Sequence, residues 1–225
     1  MDDDVVLSAP LFAGIEPEAA QALLGSMRLV RLSRGQTAFH EGDPGDRLYV
    51  IGSGKVKLGR RSNDGRENLL AVLGPGEMFG ELSLFDPGPR TATASAVSET
   101  HLYELNHDEL ISWLEQYPPV AKHLLEALAR RLRRTNEALA DLVFSDVPGR
   151  VAKALLDLAR RFGERTDDGV KVAHDLTQEE LAQLVGASRE TVNKALADFT
   201  TRRWVRREGR ALVLLDLERL ERRAR

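Results

Sequence analysis

The sequence predicts an α+β chain with a β-rich N-terminal domain, one long helix and a C-terminal winged helix-turn-helix. Three observations carry this prediction. Between Val30 and Leu105, short apolar or alternating runs are separated by turn signals, the pattern of an all-β barrel or sandwich of roughly 80 residues. Near Pro119–Phe144, apolar positions recur at Ala121, Leu125, Leu128, Leu132, Leu139 and Leu142, with Thr135 filling one step. Those intervals alternate four and three, a heptad seam. Finally, LTQEELAQLVGASRETVNKALADF, Leu176 to Phe199, reads as two short helices joined at Gly186. The expected boundaries are residues 1–118, 119–145 and 146–225.

The bulk numbers set the class. A chain of 225 residues has room for two modest cores, and 42% hydrophobic with 30% charged residues describes a globular protein in water. No apolar run approaches the ~20 residues of a membrane span. The acidic start MDDDVVLSAP lacks the basic opening of a signal peptide, so a cytoplasmic location is expected. The absence of cysteine excludes disulfides, a thiolate nucleophile and a cysteine-held iron–sulfur cluster. The net charge of −3 hides a split. From Asp146 to Arg225, 17 basic residues meet 14 acidic ones, which leaves +3 there and −6 elsewhere. Arg202, Arg203, Arg206, Arg207 and Arg210 form the basic run, either a solvated face or a set of phosphate contacts beside a reading helix.

Along the chain, a short helix is expected from Pro17 with Ala19, Ala20, Leu23 and Leu24 on one face. Strands follow at Leu48–Ile51, Val56–Leu58, Leu69–Leu73, Ala92–Ala96 and Leu102–Leu105. Turns fall at Gly42–Gly45, Ser53-Gly54, Asn63-Asp64-Gly65, Gly74-Pro75-Gly76 and Asp86–Pro89. The long helix carries its seam on one side and the basic RLRR run beside it. This suits pairing with a second copy as a symmetric homodimer, with packing along its own barrel as the rival. Thr135 is a polar member of the seam, which needs a reason in register or ligand contact, and Asn136 beside it can both donate and accept.

Ser145–Gly149 breaks that helix, and Asp146 can cap a new one with Pro148 in its first turn. Its inward face is Val151, Leu155, Leu158 and Ala159. A loop over Gly163–Gly169 and a strand Val170–Ala173 lead into the helix pair. Thr177 is an N-cap and Glu180 completes a capping box. Leu181, Leu184 and Val185 are the buried face, and Gly186 supplies the left-handed turn. Ser188 caps the second helix, which buries Val192, Leu196 and Phe199. That leaves Arg189, Glu190, Thr191, Asn193 and Lys194 to face outward, types that hydrogen-bond base edges in a major groove. An ordinary helical hairpin is the bland alternative. Trp204–Arg206 and Leu212–Leu214 flank Glu208-Gly209 as a wing, and the last eight residues are expected to be a short solvated helix.

The β-region also carries FGELSLFDPGPRTATA, Phe79 to Ala94. Gly80 lets the backbone approach a ligand, and the amides after it can point at an anion. Arg90 matches a phosphate with two parallel hydrogen bonds, and Thr91 adds a hydroxyl. Glu81 suits sugar hydroxyls rather than phosphate. A surface Glu–Arg pair in a turn is the alternative.

With FGELSLF…PRTA, RLRRTNE, DVPGRVAK and VGASRETV, the chain resembles the cyclic AMP receptor protein family of bacterial regulators from about Leu11 to Leu214. Its arginine-heavy composition (26 Arg, 6 Lys) resembles the actinobacterial branch. The resemblance implies a cyclic-nucleotide-binding β-roll, a jelly roll, in which Gly80, Leu82 and Ser83 offer backbone contacts. Glu81 would take the ribose 2′-hydroxyl, and Arg90 and Thr91 would hold the cyclic phosphate. Thr135 would meet the purine edge, Asn136 would reach in from the partner subunit, and Arg131 is a further candidate. Cyclic AMP is the implied allosteric ligand, with cyclic GMP possible and no metal. On double-stranded DNA, a palindromic TGTGA-type operator, Arg189 would bond guanine and Glu190 a cytosine amine. Thr177 and Ser188 would contact phosphate. Lys194 stands where many relatives carry arginine, and Asn136 where some carry serine. RNA polymerase is an implied partner; a membrane is not. No catalytic residue is expected, since no HD pair or clustered histidine set is present. A regulator of the same fold that binds DNA largely without ligand, or senses another small molecule, is the alternative. Haem would need His40, His101, His107 or His123 as axial ligand.

Overall fold

A computed structural model describes residues 2–62, 65 and 67–224. The expected turn residues Asn63 and Asp64 lie outside this set. The chain divides into two compact units, Met1–Arg60 with Leu70–Arg133, and Arg61–Leu69 with Arg134–Arg225.

In the first unit, helix α1 (Asp2–Leu7), a 3₁₀ turn at Pro10–Phe12 and α2 (Pro17–Ser26) precede the strands. One antiparallel sheet has the order β1-β8-β3-β6, from β1 (Arg28–Leu32), β3 (Arg47–Ser53), β6 (Met78–Phe79) and β8 (Thr100–Asn106). The other has the order β2-β7-β4-β5, from β2 (Thr37–Phe39), β4 (Val56–Arg61), β5 (Glu67–Leu73) and β7 (Thr93–Ala96). Alternation along β4 and β7 puts Val56, Leu58, Ala94 and Ala96 inward, where they meet Ile51, Phe79 and Leu102 of the first sheet in one core. This is the expected two-sheet roll.

Neither α1 nor α4 (His107–Gln116) is legible as a helix in the sequence pattern. Helix α4 has a complete capping box between Asn106 and Glu109. Both helices join a second core with α2, in which Val6, Leu11 and Leu110 have no exposure. Helix α1 is also tied down by polar contacts: Asp2 Oδ2 lies 2.6 Å from His101 Nδ1, and the Tyr103 hydroxyl donates to Asp3 at 2.7 Å. Burial and the Asp3 contact push the Tyr103 hydroxyl up to about 12.

Helix α3 (Leu82–Phe85) follows β6, and α5 (Pro118–Phe144) is the long helix. Along α5 the seam residues Leu125, Leu132, Leu139 and Leu142 are 66, 61, 62 and 50% exposed. The seam is therefore not consumed by packing within the chain.

In the second unit, α6 (Val147–Phe162) starts at the expected cap, where Asp146 Oδ1 accepts from the Gly149 amide. Val151, Leu155 and Leu158 are buried as expected, with Ala159 partly so. The expected loop after α6 is instead a strand, β9 (Gly163–Thr166), paired with β10 (Gly169–Val172). All four β9 residues are exposed, so it has no apolar alternation to betray it. Helices α7 (Gln178–Val185) and α8 (Arg189–Thr201) and the wing strands β11 (Val205–Glu208) and β12 (Ala211–Leu214) match the reading. The sheet order is β11-β12-β10-β9. The tail corrects another expectation. Helix α9 (Leu217–Arg223) packs into the core, with Leu220 completely buried, and Arg223 pairs with Asp146. Of its two leucines only Leu220 is buried while Leu217 stays exposed, too little to mark an inward face. Among the described residues, no helix is long and apolar enough to cross a membrane, and no group of His, Cys, Asp and Glu is placed to hold a metal ion.

Candidate nucleotide site and nucleic-acid interface

The turn between β6 and α3 builds the first site. Gly80 has φ +83, and an added Cβ would meet the Arg47 carbonyl and Arg90 Nη1, each at 2.9 Å. Only glycine serves there. Glu81 follows and is 1% exposed, so the alternative of a surface Glu–Arg turn pair does not hold. Its Oε1 accepts from Arg131 Nη1 of α5 at 2.8 Å, while its Oε2 is sealed from water with no partner. Leu82 and Ser83 are the first residues of α3, where amides have no intrahelical acceptor. Leu82 is 48% exposed and Ser83 is buried.

Arg90 is 4% exposed. Its Nη1 donates to the Gly80 carbonyl at 2.7 Å and its Nη2 to the Arg47 carbonyl at 2.8 Å, and the guanidinium lies 4.2 Å from the Phe39 ring centre. Nε is enclosed without an acceptor. Burial pulls this guanidinium below its ordinary value, partly offset by Tyr49, Asp46 and Glu81. Orphaned buried polar atoms are costly. Here one is an acceptor and the other a donor, which fits a ligand carrying both hydroxyl groups and anionic oxygens. Thr91 is exposed.

Gly80, Glu81, Arg90 and Arg131 are thus brought together. Thr135 and Asn136 sit one turn beyond Arg131, exposed, within the second compact unit. Sequence reasoning missed the layer behind Arg90. Glu104 of β8 is 6% exposed and accepts from both Arg28 and Arg47. It stands directly opposite Arg28 in the β1–β8 register, a pairing no motif announces. A cavity of about 380 Å³ opens there, lined by Arg28, Arg47, Tyr49, Phe39, Glu104 and Arg90 but not by Gly80–Ser83 or Thr91.

The second site is the α7–α8 pair. Thr177 Oγ1 accepts from the Glu180 amide at 3.1 Å, and the Glu180 carboxylate accepts from the Thr177 amide at 2.7 Å. Gly186 takes φ +68. Ser188 Oγ accepts from the Thr191 amide at 3.2 Å and lies 2.8 Å from the Thr191 hydroxyl. Both hydroxyls are therefore engaged as caps. Arg189 is exposed and has no partner among the described residues. Glu190 and Lys194 form an i,i+4 ion pair at 2.8 Å. Asn193 departs from the expectation: it is half-buried, and its Oδ1 is enclosed without a donor. Its position one residue after the buried Val192 turns it toward the helix flank. The arginine run also splits. Arg202 is held by Asp198, and Arg206 by Asp168 and Glu208. The Arg206 contact, helped by the Thr166 hydroxyl, pulls Asp168 below the usual carboxylate range. Arg203, Arg207 and Arg210 stand exposed without an ion pair among the described residues.

Comparison with known proteins identifies the domains in which both candidate sites lie. The cyclic nucleotide-binding domain family matches residues 29–117, and the Crp-like helix-turn-helix domain family matches residues 149–223. The chain is 58% identical to the CRP-like cAMP-activated global transcriptional regulator of Mycobacterium tuberculosis, over 99% of this chain and 100% of that protein. This chain belongs to the cyclic AMP receptor protein family of transcription regulators. Its family relatives are regulators rather than enzymes. A cyclic AMP receptor protein of Thermus thermophilus is 41% identical over 84% of each chain. Among solved structures, a CRP-family transcriptional regulator from Thermus thermophilus is 30% identical with a TM-score of 0.74, covering 87% of this chain and 96% of that one.

Proposed function

We propose that this family member is a homodimeric regulator that binds a palindromic TGTGA-type operator on double-stranded DNA in response to cyclic AMP. The observation that carries the proposal is the sealed Glu81–Arg90 site, whose Oε2 and Nε lack partners inside the fold. On this reading Glu81 accepts from the ribose 2′-hydroxyl. Arg90 and Thr91 hold the cyclic phosphate with the amides of Leu82 and Ser83, and Gly80 lets the backbone come close. Arg131 balances Glu81. Thr135 meets the purine and Asn136 reaches the partner subunit's ligand. Residues 1–118 form the ligand domain, 119–145 the dimerisation helix and hinge, and 146–225 the reader.

The exposed leucine seam supports dimerisation through 119–145, because burying four leucines that water now reaches is favourable at about 25 cal/mol per Å². In the reader, Arg189 takes guanine, Glu190 a cytosine amine, and Thr177, Ser188, Thr191, Asn193 and Lys194 flank them along the groove. RNA polymerase is the partner such a regulator addresses, from a place in the cytoplasm.

Ligand can shift the protein only through its differential affinity for two arrangements. Arg90 supplies such a difference, since its Nε–H has no acceptor within the fold and gains one only with an anion bound. Calorimetric titration of the full chain with cyclic AMP and cyclic GMP, repeated on Glu81→Gln, tests the assignment. Saturable binding of cyclic AMP, weakened roughly tenfold or more in the variant as a charged hydrogen bond is lost, is expected. Heat-silent titrations with no displacement of a fluorescent cyclic nucleotide would overturn it.

A further inference from the structure

Arg150, in the second turn of α6, has no role in the sites described above. Its guanidinium makes three bonds, all to backbone carbonyls. Nη1 donates to Ser145 at 2.7 Å, Nε to Val185 at 3.0 Å and Nη2 to Gly186 at 3.2 Å. Ser145 closes the last turn of α5, its amide bonded to the Asp141 carbonyl at 3.0 Å. Val185 ends α7 and Gly186 is its cap. Terminal carbonyls of a helix are orphan acceptors at the negative end of its dipole. One cation therefore serves two helix ends at once. A planar fork with donors on separate nitrogens suits this, whereas an ammonium is a single compact charge.

A second contact joins the same two places. A Cβ added to Gly186 would lie 2.8 Å from Leu142 Cδ2, so the last turn of α5 touches the α7–α8 turn through an apolar side chain as well. Leu142 is itself a seam residue, 50% exposed. Two residues beyond Gly186, Ser188 caps α8. The end of the seam helix and the start of the recognition helix are thus connected through one turn.

We propose that Arg150 is the positioning residue that transmits a change at the end of α5 to α8, making DNA affinity depend on ligand. The inference rests on the ligand-switched reading above. Coupling between two binding sites is reciprocal, which separates transmission from plain structural support.

The experiment uses the full-length protein, wild type and Arg150→Lys, with a labelled operator duplex at fixed salt. The ratio of DNA dissociation constants without and with cyclic AMP is measured. So is the gain in cyclic AMP affinity on adding DNA. Both ratios should shrink about tenfold in the variant, by matching factors, while cyclic AMP affinity of the DNA-free protein stays within twofold. A preserved ratio overturns the proposal, including one preserved while both affinities fall, since that marks structural support alone. If the wild type shows no ligand effect, the functional reading fails, and hydrogen exchange on the ligand-free proteins decides the Arg150 question separately. Exchange should then rise in the variant at both residues 143–147 and residues 186–190. A rise at one segment alone, or at neither, overturns the proposal.

Discussion

Glu81 and Arg90 in the β-domain are 1% and 4% exposed, whereas the Glu190–Lys194 pair on α8 has side chains 78% and 76% exposed. The first set sits where each unmet hydrogen bond costs free energy, because water cannot replace a missing partner. The second sits in solvent, where an ion pair is worth about 0–1 kcal/mol and opens cheaply for a better partner. The β-domain thus holds Glu81 and Arg90 mostly against internal partners, Arg131 for the first and two backbone carbonyls for the second. The reader keeps its groups in water, on a helix fixed by two caps and a glycine turn.

The largest expected effect tests the buried side. Arg90→Ala should lower cyclic AMP affinity by about 2–5 kcal/mol, as truncating a buried charged partner does, while the melting temperature of the reader's transition stays put. Calorimetry and differential scanning measure the two, and unchanged affinity would remove Arg90 from the phosphate site. Next, Leu139→Asp places a charge in the exposed seam and should convert dimer to monomer at micromolar concentration in sedimentation velocity. A persisting dimer would show that the seam is not the interface. Third, Arg189→Ala should cost about 1–3 kcal/mol against an operator with the cognate guanine and nothing against one where that pair is replaced. Equal losses on both duplexes would make Arg189 a phosphate contact.

The smallest effect concerns pH. The Arg223 guanidinium, helped by the Gly149 amide, holds the Asp146 carboxyl below the usual carboxylate range. A carboxyl depressed on folding contributes stability that is complete above its unfolded value and is lost as pH falls through the folded one. Asp146→Asn keeps the cap and drops the ion pair. Its melting temperature should be slightly lower than wild type near neutrality, with the two curves converging below about pH 4. Parallel curves down to pH 2 would contradict the assignment.

Much of this is readable from residues. The Thr177–Glu180 box, the Gly186 turn and the Ser188 cap are local, set by a side chain and a backbone amide three residues apart, so spacing alone reveals them. The seam is legible because its period needs no partner to be seen. What cannot be read depends on long-range placement. Arg131 meets Glu81 across 50 positions, Glu104 meets Arg28 across 76, and Arg150 reaches Val185 across 35. Strand β9 escapes notice, and helix α9 is expected as a helix but not as a packed one, for a different reason: each contributes too few buried side chains to leave a periodic signal. Asn193 shows the limit within a helix, where a polar type next to the apolar stripe does not fix how far it turns inward.

The central claim is that nucleotide binding in the β-domain controls sequence-selective DNA binding by the reader. Fluorescence anisotropy of a labelled palindromic TGTGA-type duplex, titrated with the full chain at one salt concentration with and without cyclic AMP, tests it most directly, because uncontrolled salt alone can move affinity by orders of magnitude. The account predicts tighter and sequence-selective binding with cyclic AMP. Equal selective binding in both conditions would contradict it, leaving a DNA reader that does not answer to the nucleotide.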